Sequence, residues 1–351
     1  MNILASFYAT AGLVAGVLSC LTPNAPKMQP LPVDELQYRI AFYNTENLFD
    51  TRNDSLTDDD EFTPEGGRHW NYSKYKSKLN NLYKTFIALG NWNPPDLIGI
   101  CEVENKQVLT DLVNNTPLSK YNYRIIHANS PDKRGIDVAI LYNSERVNVL
   151  HSRYFGVGKA GLLTRDILYC KTRLGNDPCH FFINHWPSRS AGQLETEPDR
   201  LAAATRLRSL VDSILHDRRE SKIVIMGDFN DEPWDMSLSQ ILQAKTDTRN
   251  AQSDYLYNVS RAPENGKIKG TIKFRGEWTL FDQVIVSGSL LGSLKGLQVQ
   301  PGDYHIFEES FLLIPDEQYN GFKPFRTYNG YKYQGGFSDH LPVYVDINFI
   351  P

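Results

Sequence analysis

Ile223, Val224, Ile225 and Met226 form an apolar, mostly β-branched run that reads as a fully buried strand. It stops at Gly227, Asp228, Phe229, Asn230 and Asp231. A glycine turn would explain Gly227 and one Asp or Asn, but not the whole cluster. The pattern recurs along the chain. Residues 40–43 run into Asn44, Thr45, Glu46 and Asn47; residues 97–101 run into Glu102, Val103 and Glu104; residues 181–183 run into Asn184 and His185. Asp282 stands just before the apolar residues 284–286, and Ser338, Asp339 and His340 stand just before 343–345. Taken singly, each has a plain structural use as a turn former, a helix cap or a core histidine. Together they imply one shared polar site at strand ends, where such sites form.

The inventory is chemically specific. Glu46, Glu102, Asp228 and Asp339 are hard oxygen donors, with Asn44 and Asn230 as neutral amides. That set suits Mg²⁺ or Mn²⁺ rather than zinc, and no zinc spacing is present. His185 and His340 with a spare carboxylate suit proton transfer near neutral pH. A hard metal, a histidine acid or base and amide donors together suit hydrolysis of a phosphate ester. No glycine-rich phosphate loop occurs, which argues against nucleoside-triphosphate transfer.

These groups need elements to hold them. Strand-like runs fall at 38–43, 96–100, 123–127, 137–142, 167–172, 180–184, 222–226, 282–286 and 342–347. Tyr75, Leu79, Leu82, Phe86 and Leu89 make one stripe of a helix predicted over 72–89. A second helix is predicted over 200–216, through Leu201, Ala204, Leu207, Leu210, Val211 and Ile214. Many strands with a few helices predict a two-sheet α+β sandwich with helices outside, in one domain.

Asn44 to Asp50, Glu102, Asn184 with His185, Gly227 to Asn230, Asp282, and Ser338 to Pro342 resemble, in order, the motifs of the endonuclease/exonuclease/phosphatase superfamily. That superfamily includes pancreatic-type deoxyribonucleases, apurinic-site endonucleases, neutral sphingomyelinases and inositol-polyphosphate 5-phosphatases. The Gly-Asp-x-Asn and Ser-Asp-His-x-Pro blocks are highly specific as an ordered pair, and the match extends over about residues 38–347. The resemblance implies a four-layer α/β/β/α sandwich of two mostly antiparallel sheets, with the site at one edge. It implies Glu102 as the main metal ligand, helped by Glu46, Asn44 and Asp339. Asp282 would orient His340, fixing its tautomer. His340 would contact the scissile phosphate or activate the attacking water, with Asp228 as the rival base. Asn230 would position phosphate or water, and His185 would stabilise or protonate the leaving oxygen.

The substrate is less legible. Arg134, in the turn before residues 137–142, could clamp a phosphate oxygen, and a solvated turn fits equally well. Arg189 lies after His185, and Arg326 sits in an aromatic stretch, 322–336, that leads into the Ser-Asp-His block. That stretch suits either base and sugar stacking or a packed lid. The first expectation is a secreted or surface nuclease or phosphodiesterase acting on DNA or RNA. The alternative is a phosphatase or phospholipase-type enzyme acting on a phospholipid, inositol phosphate or sugar phosphate. A non-catalytic binding protein on the same fold is the remote alternative.

The 351-residue chain is 41% hydrophobic and 22% charged, as an ordinary globular protein is, and its formal net charge is −4. That balance argues against a general polyanion-binding surface without excluding a local basic groove. Residues 1–21 carry no charge and contain a short apolar run that ends at Val17, Leu18, Ser19 and Cys20. They read as a lipoprotein-type secretory leader with Cys20 as the lipidated residue, followed by a Pro-rich tether at 22–33 and a catalytic domain at 34–351. An extracytoplasmic monomer is expected, touching a membrane only through that anchor. Cys101 reads as a buried free thiol. Cys170 and Cys179 flank a turn, and an oxidising compartment would allow a cross-strand disulfide between them.

Overall fold

The computed structural model describes residues 37–263, 266–292 and 295–350, so the leader, Cys20 and the tether lie outside the described residues. Leu36–Pro351 form one compact unit. Period-two alternation sets its layers. In β1 (Gln37–Leu48), Ile40 and Phe42 enter one core while Ala41 and Tyr43 enter another. In β8 (Ile223–Asp228), Val224 and Met226 likewise oppose Ile223 and Ile225.

Two seven-stranded sheets result. The first runs Gly296–Val299, Val343–Ile350, β1, β2 (Leu97–Val103), β4 (Asp137–Asn143) and β3 (Tyr123–His127), with His305–Ile306 also paired to Val343–Ile350. The second runs β5 (Val147–Phe155), β6 (Ile167–Leu174), β7 (Asp177–His185), β8, Asp282–Ser287, Leu256–Asn258 and Ala244–Lys245. Ile40, Phe42, Val138 and Ile140 of the first sheet meet Phe181, Ile183, Val224 and Met226 of the second in the central core. On the outer face of the first sheet, Tyr43, Ile98 and Leu141 pack under α1 (Tyr72–Leu89) and α2 (Lys106–Asn114). On the other outer face, Phe182, Ile225 and Ile285 pack under α3 (Gln193–Asp217). This is the expected four-layer α/β/β/α sandwich.

Three local expectations need correction. The second helix begins at Gln193 rather than at residue 200, because Pro198 lies inside it and reads in sequence as a break. The edge strand β5 goes unseen in the sequence: it is largely exposed, polar and bulged between Val149 and His151, so it lacks an apolar run. Cys170 and Cys179 are free buried thiols. Cys170 lies opposite Phe181 and Cys179 opposite Thr172. The two are therefore diagonal neighbours about 7 Å apart, beyond the roughly 4 Å Cβ separation that a disulfide needs.

Gly227 is not in a turn. It lies within β8 opposite Asn184 of β7, and a Cβ there would stand 2.3 Å from the Asn184 carbonyl oxygen. Glycine is needed for backbone approach. Gly227→Ala is expected to destabilise the fold by about 1–3 kcal/mol in chemical denaturation, through overpacking against rigid backbone. An unchanged denaturation midpoint would refute that reading.

Candidate active site

Strand direction brings the polar residues together. β1 and β2 are parallel in one sheet, and β7 and β8 are parallel in the other. Their C-terminal ends carry Asn44, Glu102, His185 and Asp228. Val343–Ile350 is antiparallel to β1 and Asp282–Ser287 antiparallel to β8, so His340 and Asp282 reach the same edge from strand beginnings. Asp228 lies in register with both His185 and Asp282. Asn44 Nδ2 donates to Asp228 Oδ2 at 3.0 Å, joining the two sheets at this point.

Local backbone turns the side chains inward. Glu102 sits where the β2 ladder shifts register between Cys101 and Val103, a bulge that re-aims one residue. Glu102 has φ 60°, Glu46 φ 47°, Asn47 φ 57° and Asn230 φ 50°, all left-handed without being glycine. The left-handed form costs an L-residue about 1–2 kcal/mol, and such strain collects at functional sites. β1 shifts register over the same stretch, between Asn44 and Leu48.

At the centre, His340 Nδ1 donates to Asp282 Oδ2 at 2.6 Å, and both residues are buried. His340 Nε2 and His185 Nε2 each stand 3.7 Å from Asp228 Oδ2, and His185 Nε2 is 3.9 Å from Glu102 Oε1. The Asn230 N–H donates to Asp228 Oδ1 at 3.0 Å, while its side-chain amide donates to the Trp186 carbonyl. Ser338 Oγ donates to the Asn44 carbonyl at 2.7 Å and accepts from the His340 N–H at 3.1 Å. Four buried polar atoms here or nearby have no hydrogen-bond partner among the described residues: His185 Nδ1, Asp282 Oδ1, Tyr43 Oη and Arg326 Nε.

Burial dominates the electrostatics. It pushes the Asp228 carboxyl up to about 7, helped by Asp282 and opposed by His340 and the Asn230 and Asn44 hydrogen bonds. His185 is held well below the ordinary histidine value by burial, then by Arg165, Arg134 and His340. His340 is raised well above it: burial opposes the charge, but Asp282, Asp228 and Asp339 together outweigh burial. One neutral and one cationic imidazole thus flank a carboxyl poised near neutrality. Environments that split titratable neighbours in this way set up acid and base roles.

The expected site residues divide into two groups. Asp228, Asp282, His340, His185, Glu102, Asn44 and Asn230 converge. Asn44 Nδ2 donates to Asp228 Oδ2, and its side-chain oxygen Oδ1 accepts the Glu46 N–H at 2.9 Å, so Asn44 ties Glu46 to Asp228. Glu46 accepts the Thr327 and Tyr328 N–H groups, and Asp339 pairs with Arg326 at 2.6 Å. Arg189 is tied to Asp231 at 2.8 Å, to Asp235 and to the Asn230 carbonyl. Arg134 is half-exposed and reaches Asn47 Oδ1, with Glu102 at 3.9 Å. Arg165 was missed in sequence: it is buried, pairs with Asp132 at 2.9 Å and donates to the His185 and Trp186 carbonyls. An isolated arginine in a polar run gives no signal of such a use.

The donor set fits a hard divalent ion. Glu102 Oε2 accepts the Asn47 N–H at 2.9 Å, which leaves Oε1 facing the site. Among the described residues, Asp228, Asp282 and His340 also place one ligand atom each within 4.8 Å of one another. The short Asp282–His340 hydrogen bond already uses Nδ1, which leaves His340 Nε2 and Asp282 Oδ1 without hydrogen-bond partners in the trio.

The shifts predict a stability profile. Asp228 is raised from its ordinary 3.8 to about 7, so its contribution is present at low pH and lost as pH rises through that window. His340 is raised above 6.5, so its contribution is complete below that value and lost as pH climbs further. The Asp228 slope is downward between about 3.8 and 7 and flat above, while the His340 slope is downward only above 6.5. In chelator, the denaturation midpoint should fall as pH rises from about 4 to 7, and fall less in Asp228→Asn. Equal slopes in the two proteins would contradict this electrostatic account.

A family model described as Endonuclease/Exonuclease/phosphatase family matches residues 39–348. No curated protein matches the chain in sequence. Among solved structures, the mannosyl-6-phosphatase Bt3783 of Bacteroides thetaiotaomicron superposes with TM-score 0.56 at 17% identity, covering 89% of this chain and 100% of that one. D. rerio TDP2 complexed with single strand DNA product gives TM-score 0.53 at 14% identity, covering 89% and 99%. The human Nocturnin catalytic domain with bound sulfate gives 0.52 at 15%, covering 90% and 95%. At these identities the structural likeness is one of fold. The match along almost the whole described length carries further: this chain belongs to the endonuclease/exonuclease/phosphatase family.

Proposed function

We propose that the chain is a divalent-cation-assisted phosphoester hydrolase. The observation that carries the reading is the buried line Asp282–His340–Asp228, met by a neutral His185 at the edge of both sheets. Asp282 holds the His340 ring so that Nε2 points toward Asp228. Cationic His340 donates from Nε2 to a phosphoryl oxygen as charge develops there. Asp228, raised to about 7, accepts the proton of the attacking water as the water oxygen bonds to phosphorus, since a base works best near the operating pH. The ester P–O bond breaks, and the departing oxygen takes its proton from solvent water. Asn230 and Asn44 hold Asp228 by its two oxygens. Neutral His185, fixed through its backbone by Arg165, orients the water between Asp228 and Glu102. A bound Mg²⁺ or Mn²⁺ would be held by Glu102, with Glu46 and Asp339 nearby, and would polarise the phosphoryl group.

The ion pairs favour a compact ester over a nucleic-acid strand. A polyanion groove needs free cations, yet Arg189 is neutralised by Asp231 and Asp235 and Arg326 by Asp339. Of the expected three, Arg134 alone has no carboxylate closer than Glu102 at 3.9 Å, which leaves one cation for one phosphate. The fold neighbours include both a sugar phosphatase and a DNA-bound enzyme, so they do not choose between these readings.

Asp282→Asn is expected to lower kcat by about 10³- to 10⁴-fold while the fold persists, because an amide cannot support the same tautomer and charge on His340. A variant within about tenfold of wild type would remove Asp282 from the proposed role. Against a panel of hexose phosphate, aryl phosphodiester and supercoiled plasmid, we expect hydrolysis of the small esters, abolished by EDTA and restored by Mg²⁺ or Mn²⁺. Plasmid nicking that disappears in Asp282→Asn would reinstate the nuclease reading.

A further inference from the structure

Lys78 lies on the core-facing side of α1 and is 1% exposed. A lysine so buried is costly unless its charge and its donors are all engaged. Lys78 Nζ donates to Thr327 Oγ1 at 2.5 Å and to the Phe337 carbonyl at 2.6 Å. One turn along, Asn81 Nδ2 donates to the Gly335 and Gly336 carbonyls at 3.1 and 2.9 Å. From the other side Glu46, itself buried, accepts the Thr327 N–H at 2.6 Å and the Tyr328 N–H at 3.2 Å. Burial pushes the Lys78 amine down to about 8, and Glu46, Asp339 and Glu102 oppose that fall. Thus α1 and the end of β1 grip the segment from Thr327 to Phe337 at both ends. The next residue is Ser338, whose hydroxyl holds the Asn44 carbonyl and the His340 N–H.

We propose that Lys78 is a positioning residue of the site: it fixes the approach to Ser338, Asp339 and His340 through the Phe337 carbonyl and the Thr327 hydroxyl. This rests on the phosphoesterase reading of the same site. Lys78 touches no reacting atom. Its effect is geometric, because a shift of the segment moves His340 Nε2 relative to Asp228 and the phosphate, while the rim that first meets substrate stays where it is. Loss of Lys78 should therefore appear in turnover rather than in substrate affinity.

The test is Lys78→Met, which keeps the length and removes charge and donors, alongside Thr327→Val, which removes one acceptor and leaves the charge in place. Steady-state kinetics on a small phosphate ester and hydrogen exchange of the full chain are measured below each variant's own unfolding temperature. In Lys78→Met, kcat should fall about a hundredfold with KM moved less than about threefold, the scale expected for a misplacement near 1 Å. Exchange over 325–340 should quicken about tenfold or more, with α2 and α3 unchanged. Thr327→Val should show the same split more weakly. Wild-type kcat in a folded Lys78→Met, or a loss of protection spread evenly over α2 and α3 with kinetics normal per folded molecule, would overturn the proposal. If Lys78→Met does not fold, normal kcat in Thr327→Val would overturn it. A wild-type chain inert on every ester would sink the phosphoesterase reading, and unchanged exchange at 325–340 in the variant would then sink the Lys78 contact independently.

Discussion

Strand direction at the middle of each sheet is the constraint on which the site depends. A parallel pair must be joined by a crossover, and α1 and α3 provide it for β1–β2 and β7–β8. Only then do both strands of a pair finish at the same edge. Strands antiparallel to these pairs must contribute from their beginnings instead. That is why Asn44, Glu102, His185 and Asp228 follow their apolar runs while Asp282 and His340 precede theirs.

Gathering these groups is unfavourable by itself. Asp228, Asp282, His185 and His340 are all almost fully buried, and burial is the largest influence on three of them. Four residues around them hold left-handed backbone without being glycine. The central core between the sheets and the two helix-covered faces outweigh these penalties, because each buried aliphatic side chain contributes about 1.5–3 kcal/mol. The site is strained and desolvated because a rigid sandwich can hold it so. Preorganised polar groups in a dry edge are what a charge-developing reaction requires.

The arginines show how context changes a residue's meaning. Arg134, Arg189 and Arg326 look alike in sequence as candidate phosphate clamps. In the fold, Arg189 also lies over the Phe281 ring at 4.8 Å and laces the 228–235 loop together, while Arg326 bridges Asp339 toward Glu46. Arg165, unremarkable in sequence, fixes the backbone under His185. A cation is available to substrate only if no carboxylate reaches it first, and that is a three-dimensional property.

Local pattern determined the strand runs, the α1 stripe and the polar residues at strand ends, because period-two burial and the 3.6-residue stripe are written in side-chain order. Ordered blocks such as Gly227 to Asn230 and Ser338 to Pro342 even fixed which groups should meet. The exposed edge strand β5 was invisible because its side chains carry no core pattern. The free state of Cys170 and Cys179 depended on a register offset of two residues between β6 and β7. Gly227 proved to serve backbone approach to Asn184, and Lys78 proved to be a buried clamp on a segment about 250 residues away in sequence. Tertiary structure alone decided these points, since each depends on the distance between atoms that the chain order leaves far apart.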